Sequence, residues 1–596
     1  MPLLGLLASA GGPESPQADS YSPSMQLTRS IARAAARRPA ALDIVFLAAA
    51  IAATTIPYVG RLGFYHDDYH FLGLLATADD QSFGPLLDVL RDGVPKQNLR
   101  PAQQVLFTGL YDVFGDTPLP WHLLAAILLV GMGVALYALL RELLLPRPVA
   151  VAIPLLYAVL PHYATARFWP ATFAELLSML LLFVSLYAVL RASRARSAAL
   201  PLWLSLAVAT LAVSVLAYEV AMPLFLLAPV LVVYRRTRLG EPWLRRLGVV
   251  GATYGLALLA VFAWKAAEAQ EIGKVTGYDL GYPNGFLYHL GYLGQGILRV
   301  NVGSYALGLP YVVGWIVANR LSWAALALAV VVGAGTYVYL AWLQRSRPGS
   351  PPTAPSPLRL VLAGLLVVLL GYAVFLTNSE ILFRSAGADN RVAIAAALGI
   401  AIAAVGGASW LSGRVGGSRG DAVFRGLVAT LVAIGVLTVT TLADYWAEAR
   451  TRQQTILTDL RSQLPRTPTD VTVIVDATCP EAGPAVVFVS TSDLTGALKT
   501  AYREPSLEGG VVRDDLSLGS AEARVTNTFL GSVSSVLTYP YGPGLYVYNG
   551  VTRRLAPLTS AADARRYRAQ APDPPTCPPV RSFAWGIDIR RWRIFA

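Results

Sequence analysis

A dense group of ionisable side chains occurs shortly after the first apolar stretch of the chain. The sequence Gly63-Phe64-Tyr65-His66-Asp67-Asp68-Tyr69-His70 places two adjacent carboxylates between histidines and tyrosines. Adjacent carboxylates raise each other's pKa, so one can accept a proton near neutral pH while the other orients a substrate or a cation. A solvated helix terminus is the plainer interpretation, but a helix end needs only one capping side chain. We therefore predict Asp67 and Asp68 as catalytic, with His66 binding substrate beside them.

The same residues could also bind a metal ion. Carboxylate and imidazole are both common ligands of divalent cations, so Asp68 and His66 are candidates. A lone His-Asp-Asp sequence is a weak metal pattern. The sequence predicts no cofactor with certainty and leaves a divalent metal ion open.

The rest of the chain is too apolar for a soluble protein. It has 596 residues, of which 55% are hydrophobic and 14% are charged, with mean hydropathy +0.51; soluble domains have roughly 25% charged residues. A helix needs roughly 20 apolar residues to cross a bilayer. Apolar runs of about this length, some shorter, occupy 41–59, 121–145, 148–161, 171–190, 199–216, 218–234, 246–264, 321–343, 357–377, 391–412 and 424–442. We predict a polytopic α-helical membrane protein with about 11 transmembrane helices.

Arginines distinguish the two sides of this membrane domain. With the N-terminus in the cytosol, every cytosolic connection carries at least two arginines, as the positive-inside rule requires. This distribution accounts for much of the net charge of +12 and argues against a nucleic-acid partner. The external segments are then 60–120, 162–170, 217–219, 265–320, 378–390 and the chain from about 443. We predict that the acidic pair falls on the external face of the plasma membrane, and the composition, heavy in Ala, Arg, Gly and Leu, suggests a bacterium.

Three regions follow from composition. Residues 1–40 are rich in Pro, Ser and Ala and are predicted to be a disordered cytosolic tail; 41–442 are the membrane domain; 443–596 are a small external α/β domain with short strands near 471–475, 485–489 and 545–551. Cys479 and Cys577 both lie in the last region, where a disulfide is plausible outside the cytosol. Residues 286–318 are moderately apolar and are expected to lie in the membrane interface or to re-enter.

Further polar residues fall on the predicted external face. Glu219 separates two apolar runs, where an unpaired charge is costly unless it lies in a turn or faces a cavity. Arg384 and Arg391 could be ordinary interfacial side chains that reach towards water. The candidate substrate-binding residues are His66, His162, Arg167, Glu219, Arg384, Asp389 and Arg391.

The motif and the topology together resemble the GT-C class of membrane glycosyltransferases, which includes protein O-mannosyltransferases, aminoarabinose-lipid transferases and arabinosyltransferases. The likeness covers roughly 40–440. It is carried by Phe64-Tyr65-His66-Asp67-Asp68-Tyr69, Leu99-Arg100-Pro101, Arg167-Phe168-Trp169-Pro170-Ala171-Thr172-Phe173-Ala174-Glu175 and Tyr218-Glu219.

This resemblance implies a lipid-linked substrate. The expected donor is a sugar on a polyprenyl phosphate held in the lipid bilayer, and the acceptor is a hydroxyl of a lipid, polysaccharide or protein. Asp67, or failing that Asp68, would take the acceptor proton, and Arg384 and Arg391 would bind the departing phosphate. The alternatives are a transporter or flippase, which should show internal repeats and charges near the bilayer midplane, and a polymerase or ligase of lipid-linked glycans.

Overall fold

A computed structural model describes residues 40–195, 197–276, 285–307, 309–345, 356–377, 383–465, 468–529, 533–572 and 574–577. The described residues up to Phe46 form one unit and those from Leu47 onward form another, and every site residue belongs to the second. Of the predicted disordered tail, all but residue 40 lies outside the described residues.

The membrane domain is built from long apolar helices. Within the described ranges, ten helices are long and apolar enough to cross a bilayer, and a bent pair makes an eleventh candidate. In that pair, Arg147–Val159 turns by 64° into Pro161–Arg167, where Pro161 lacks the N–H that would continue the helix. The ten are Ala40–Val59, Pro118–Glu142, Pro170–Ala192, Leu200–Ala217, Glu219–Arg238, Leu244–Gly273, Trp323–Arg345, Pro357–Leu376, Ala388–Val415 and Gly417–Gln463. The predicted class, a polytopic α-helical membrane protein, is confirmed.

Ion pairs show which helix ends lie on the same side. Glu142 ends one span, and its carboxylate contacts Arg194, which follows another, and Arg235 near the end of a third, at 3.3 and 3.0 Å. At the opposite ends, Glu175 and Glu219 begin two of these same spans and pair with cations from other elements. The basic connections and the acidic turn therefore lie at opposite ends of the helices.

Short helices fill the connections on the side of the acidic pair. After the first span come the helices Asp67–Ala76, Phe83–Gly93 and Pro101–Phe114, with a 3-10 turn at Pro95–Leu99. The later connection forms the helix Phe286–Ile297, the π-helix Leu298–Leu307 and the helix Leu309–Asn319. None of these described helices has the length and hydropathy of a span.

The last span is the first part of a much longer helix, Gly417–Gln463, here called the stalk helix. Its 47 residues extend about 70 Å at roughly 1.5 Å per residue, more than twice the thickness of the hydrocarbon core. Gly416, with φ 72°, separates it from the helix Ile394–Val415. The predicted boundary at 443 falls inside this helix.

The C-terminal region is a small α/β domain. The strands are β1 Thr472–Asp476, β2 Glu481–Ala482, β3 Ala485–Val486, β4 Glu508–Val511, β5 Asp515–Leu518, β6 Glu522–Phe529, β7 Val533–Pro540, β8 Leu545–Asn549 and β9 Arg554–Pro557. One sheet has the order β4-β1-β8-β9, with β1 parallel to β4 and β8, and another has the antiparallel order β5-β6-β7. The helices are Thr491–Tyr502 and Ala561–Gln570. The disulfide between Cys479 and Cys577 is present.

This domain packs directly on the helix that carries the acidic pair. Where the helices Asp67–Ala76 and Thr491–Tyr502 cross, a glycine stands on each, at Gly73 and Gly496. A Cβ atom on Gly496 would lie 1.9 Å from the carbonyl oxygen of Tyr69. Only glycine permits so close an approach, so the C-terminal domain is held against the predicted site.

Candidate active site

A tight turn, Tyr65–Asp68, presents the acidic pair; we call it the acidic turn. The backbone N–H of Asp68 donates to the carbonyl of Tyr65 at 3.0 Å. His66 occupies the second position with φ 45° and ψ −119°, a conformation that glycine adopts far more readily. Non-glycine residues keep such strained backbone only where their surroundings hold it, often at functional sites.

The Asp68 carboxylate holds the turn in place. One oxygen accepts the N–H of Tyr65 at 2.8 Å, and the other accepts the N–H of Ala171 at 2.6 Å. Asp68 is fully buried, and burial raises the pKa of its carboxyl although both N–H groups favour the charged form. Asp68 thus ties the acidic turn to the start of the span Pro170–Ala192, a role in positioning.

Asp67 instead faces outward and pairs with His66. The Nδ1 of His66 lies 2.6 Å from Oδ1 of Asp67, and the two side chains are 22% and 39% exposed. The Nδ1–H donates to the carboxylate and leaves its second oxygen to other partners. Of the two carboxylates, Asp67 is therefore the one a substrate can reach.

The pair is ionised across the neutral range. Burial disfavours both charges, but their mutual attraction and hydrogen bond outweigh it: the pKa of Asp67 is lowered to about 2 and the pKa of His66 is raised to about 9. Arg391 also lowers the pKa of Asp67, while the Asp493 carboxylate raises that of His66. The two groups titrate as a pair.

The residues do not fit the metal site that the sequence left open. Both oxygens of Asp68 already accept backbone N–H groups, and Nδ1 of His66 is engaged by Asp67. Among the described residues, no cluster of three or more His, Cys, Asp or Glu could hold a metal ion. We derive no step through a metal.

Arg391 stands at the mouth of its span beside the acidic turn. Its Nε lies 3.3 Å from the carboxylate of Glu175, and its guanidinium lies 4.7 Å from the ring centre of Trp169. The Trp169 ring in turn contacts the His66 imidazole, with centres 5.5 Å apart. Arg391 is thus a positive group near Asp67, with about a quarter of its side chain exposed.

A second cationic group surrounds Glu219. Arg100 donates to both of its carboxylate oxygens and stacks on the Tyr218 ring at 3.9 Å, and Lys265 lies 3.2 Å from one oxygen. Lys265 also donates to the carbonyl of Leu99 at 2.7 Å. The two cations on one carboxylate leave a net positive group where three elements meet.

The remaining predicted residues divide into an ion pair and a buried support. Arg384 and Asp389 contact each other at 3.3 Å. His162 and Arg167 are 4% and 2% exposed; Arg167 donates to the carbonyl of Ala158, and the His162 ring packs on Tyr305 with centres 4.0 Å apart. Burial separates His162 and Arg167 from any substrate that approaches Asp67.

A buried amide fixes these loops to one another. The Nδ2 of Asn390 donates to the carbonyls of Pro161 and Ser385 at 2.7 and 3.1 Å, and its Oδ1 accepts the N–H of Thr165 at 3.1 Å. The neighbouring Arg391 is thereby set in position by the bent span.

Several residues of this site were not among the predicted site residues. Arg100 and Lys265 both bind Glu219, which lies 119 and 46 positions away from them in the sequence. Glu175 pairs with Arg391. Asp493 comes from the C-terminal domain, where burial raises its pKa to about 6. The Leu99-Arg100-Pro101 sequence held a usable signal, and so did Lys265, a basic residue directly after an apolar run.

No model of a known protein family matches the chain, and no curated protein matches it. Among solved structures, the chain is similar to ArnT from Cupriavidus metallidurans bound to undecaprenyl phosphate, at 15% identity and a TM-score of 0.33, over 79% of this chain and 86% of that one. At this level of similarity neither a fold assignment nor a residue role passes from one protein to the other.

Proposed function

We propose that the protein is a membrane glycosyltransferase of the GT-C type. It transfers a sugar from a polyprenyl-phosphate donor to an acceptor hydroxyl at the extracytoplasmic face. The observation that carries this proposal is the 2.6 Å contact between His66 and Asp67, both partly exposed at the ends of the spans, with Arg391 as a nearby cation.

Asp67 serves as the general base. The acceptor oxygen bonds to the anomeric carbon, its proton passes to Asp67, and the bond from that carbon to the phosphate oxygen breaks, with the electron pair leaving on the lipid phosphate. His66 keeps the carboxylate oriented through the 2.6 Å contact. Asp68 takes no proton in this scheme, because both of its oxygens support the backbone.

The free protein holds Asp67 as a weak base, with a pKa of about 2. Arg391 and His66 are the cations that stabilise its charge. An anionic phosphate bound between them would compensate both charges and raise the basicity of Asp67. The donor thus prepares the base that acts on the acceptor.

The phosphate is bound by cations at the mouths of the spans. Arg391 is the arginine whose charge acts on Asp67. Arg100 and Lys265 together form the second positive group. Arginine suits a phosphate because its planar donors bind two oxygens at once. A donor with its lipid in the bilayer would present its phosphate at the level of these helix ends.

We place the site outside the cytosol. The arginine-rich connections lie at the other ends of the helices, as the positive-inside rule predicts for the cytosolic side. The disulfide on the domain that packs against the acidic turn is also typical of an oxidising compartment. Since the ionised groups gather at helix ends, the arrangement favours a transferase over a transporter.

The experiment uses purified protein in nanodiscs with a set of radiolabelled polyprenyl-phosphate sugars and a cell-envelope extract as acceptor. Labelled sugar should leave the lipid and appear in acceptor material. Asp67→Asn should reduce the rate roughly 10²- to 10⁴-fold, the usual contribution of a general base. Asp88→Asn is the matched control, because Asp88 is an exposed carboxylate in the same connection, paired only loosely with Arg91 at 3.8 Å.

A further inference from the structure

A large groove lies along the stalk helix, and no residue of the acidic turn lines it. Its volume is about 1110 Å³, beyond the roughly 300–1,000 Å³ of ordinary small-molecule pockets. The first connection, the turn before the span Trp323–Arg345, the stalk helix and the loop before β9 all contribute walls. Its lining includes Arg61, Arg320, Thr451, Thr455 and Arg553. We call this the stalk groove.

Hydroxyl groups line the helical wall of the stalk groove. Thr451 and Thr455 each donate to the carbonyl four residues earlier, at 3.0 and 2.9 Å. Their protons are committed to the helix, so their oxygens offer lone pairs. Sugar hydroxyls are the donors that match such a row of acceptors.

Arginines from three separate elements converge on the same groove. Arg61 pairs with Asp444 at 2.8 Å, Arg320 with Glu448 at 3.2 Å, and Arg553 with Asp459. Their side chains are 57%, 45% and 57% exposed. Each guanidinium has five N–H donors, and one carboxylate engages at most two or three of them. The others remain for an anion in the groove.

The stalk groove continues towards the acidic turn. A second cavity of about 260 Å³ shares Arg450 and Gln454 with it. That cavity is lined by Phe64 and Tyr69, which flank the acidic turn in sequence. No residue of the acidic turn lines either cavity, so a ligand that filled both would lie beside the residues that flank the turn.

We propose that the stalk groove binds an anionic glycan, a chain of sugars that carries carboxylate or phosphate groups. The hydroxyl acceptors suit the sugars, the exposed arginines suit the negative groups, and the volume of about 1110 Å³ suits several sugar units. That this glycan is the acceptor rests on the proposed function; the binding itself does not.

Isothermal titration of the full-length protein in nanodiscs tests this binding. Hexagalacturonate is the anionic probe and maltohexaose the neutral one. Hexagalacturonate should bind more tightly, and its affinity should fall with salt. The double variant Arg61→Gln/Arg320→Gln should weaken it at least about tenfold, since charge-assisted hydrogen bonds contribute roughly such factors.

Arg452→Gln is the matched control. Arg452 lies on the same helix and pairs with the same Glu448 at 2.6 Å, yet it does not line the groove, so its loss should weaken binding far less than the double variant does. Equal affinity for both sugars would overturn the proposal. An equal loss of hexagalacturonate affinity in Arg452→Gln and in Arg61→Gln/Arg320→Gln would overturn it as well. Binding of dioctanoyl phosphatidylglycerol without hexagalacturonate would also overturn it, by assigning the groove to lipid.

A variant of the acidic turn separates this proposal from the proposed function. Asp67→Asn should bind hexagalacturonate as the native protein does, because Asp67 does not line the groove. Glycan binding without any sugar transfer would refute the transferase alone. Sugar transfer that is unaffected by Arg61→Gln/Arg320→Gln, together with no hexagalacturonate binding, would refute the groove alone.

Discussion

The charge state of His66 gives the most detailed prediction. Replacing Asp67 with Asn removes the negative charge and keeps the size of the side chain. Burial alone lowers the pKa of this imidazole, and Asp67 is the main group that raises it to about 9. In Asp67→Asn the pKa of His66 should therefore fall to about 6.5, the reference value, or below.

The size of this effect also sets the pH dependence of stability. A pKa of about 9 in place of 6.5 corresponds to roughly 3 kcal/mol at about 1.36 kcal/mol per pKa unit, and solvent at the 39% exposed Asp67 reduces this to about 1–2 kcal/mol. Because the folded pKa is the higher one, this contribution is complete below pH 6.5 and is lost as the pH rises through 9. The variant should lack this alkaline loss.

The assay is NMR titration with ¹³C-labelled histidine in nanodiscs. The chain has five histidines, so the resonances are few, and His66→Gln assigns the one of interest. Unfolding midpoints of both proteins at several pH values complete the comparison. An imidazole that titrates near 6.5 in the native protein, or that keeps its pKa in Asp67→Asn, would refute the ion pair.

Three further predictions concern the supports of the site. Asp68→Asn should lose one backbone acceptor and about 1.5–3 kcal/mol of stability, seen as a lower midpoint and faster exchange of the Ala171 amide; unchanged exchange would contradict the clamp. Gly496→Val should cost about 1–3 kcal/mol or more by overpacking, and Gly496→Ser less; equal midpoints would contradict the close approach. Cys479 and Cys577 should react with a membrane-impermeant maleimide in spheroplasts only after reduction, and labelling without reductant would contradict the disulfide.

The spans could be predicted because each is a local property. Every apolar run coincides with a helix, and the bend of one span falls at Pro161, whose missing N–H interrupts the helical hydrogen bonds. The extension of the stalk helix to Gln463 was not foreseen, because its polar residues resemble a soluble segment.

The partners in the site could not be predicted in the same way. Glu219 was singled out because a charge between apolar runs needs compensation, but nothing local identifies Arg100, 119 positions away, as its partner. Likewise, the sequence treats Asp67 and Asp68 alike. Only the fold distinguishes them, because it brings the Ala171 amide to Asp68 and leaves Asp67 as the candidate base.

The Asp67 general base is tested most directly by single-turnover transfer. Donor loaded on the protein in nanodiscs would be chased with acceptor extract, and polyprenyl phosphate release measured for native protein, Asp67→Asn and Asp88→Asn. With donor saturating in all three, we predict a rate reduced about 10²- to 10⁴-fold only in Asp67→Asn, and native behaviour in Asp88→Asn. Transfer by Asp67→Asn at the native rate would contradict the account.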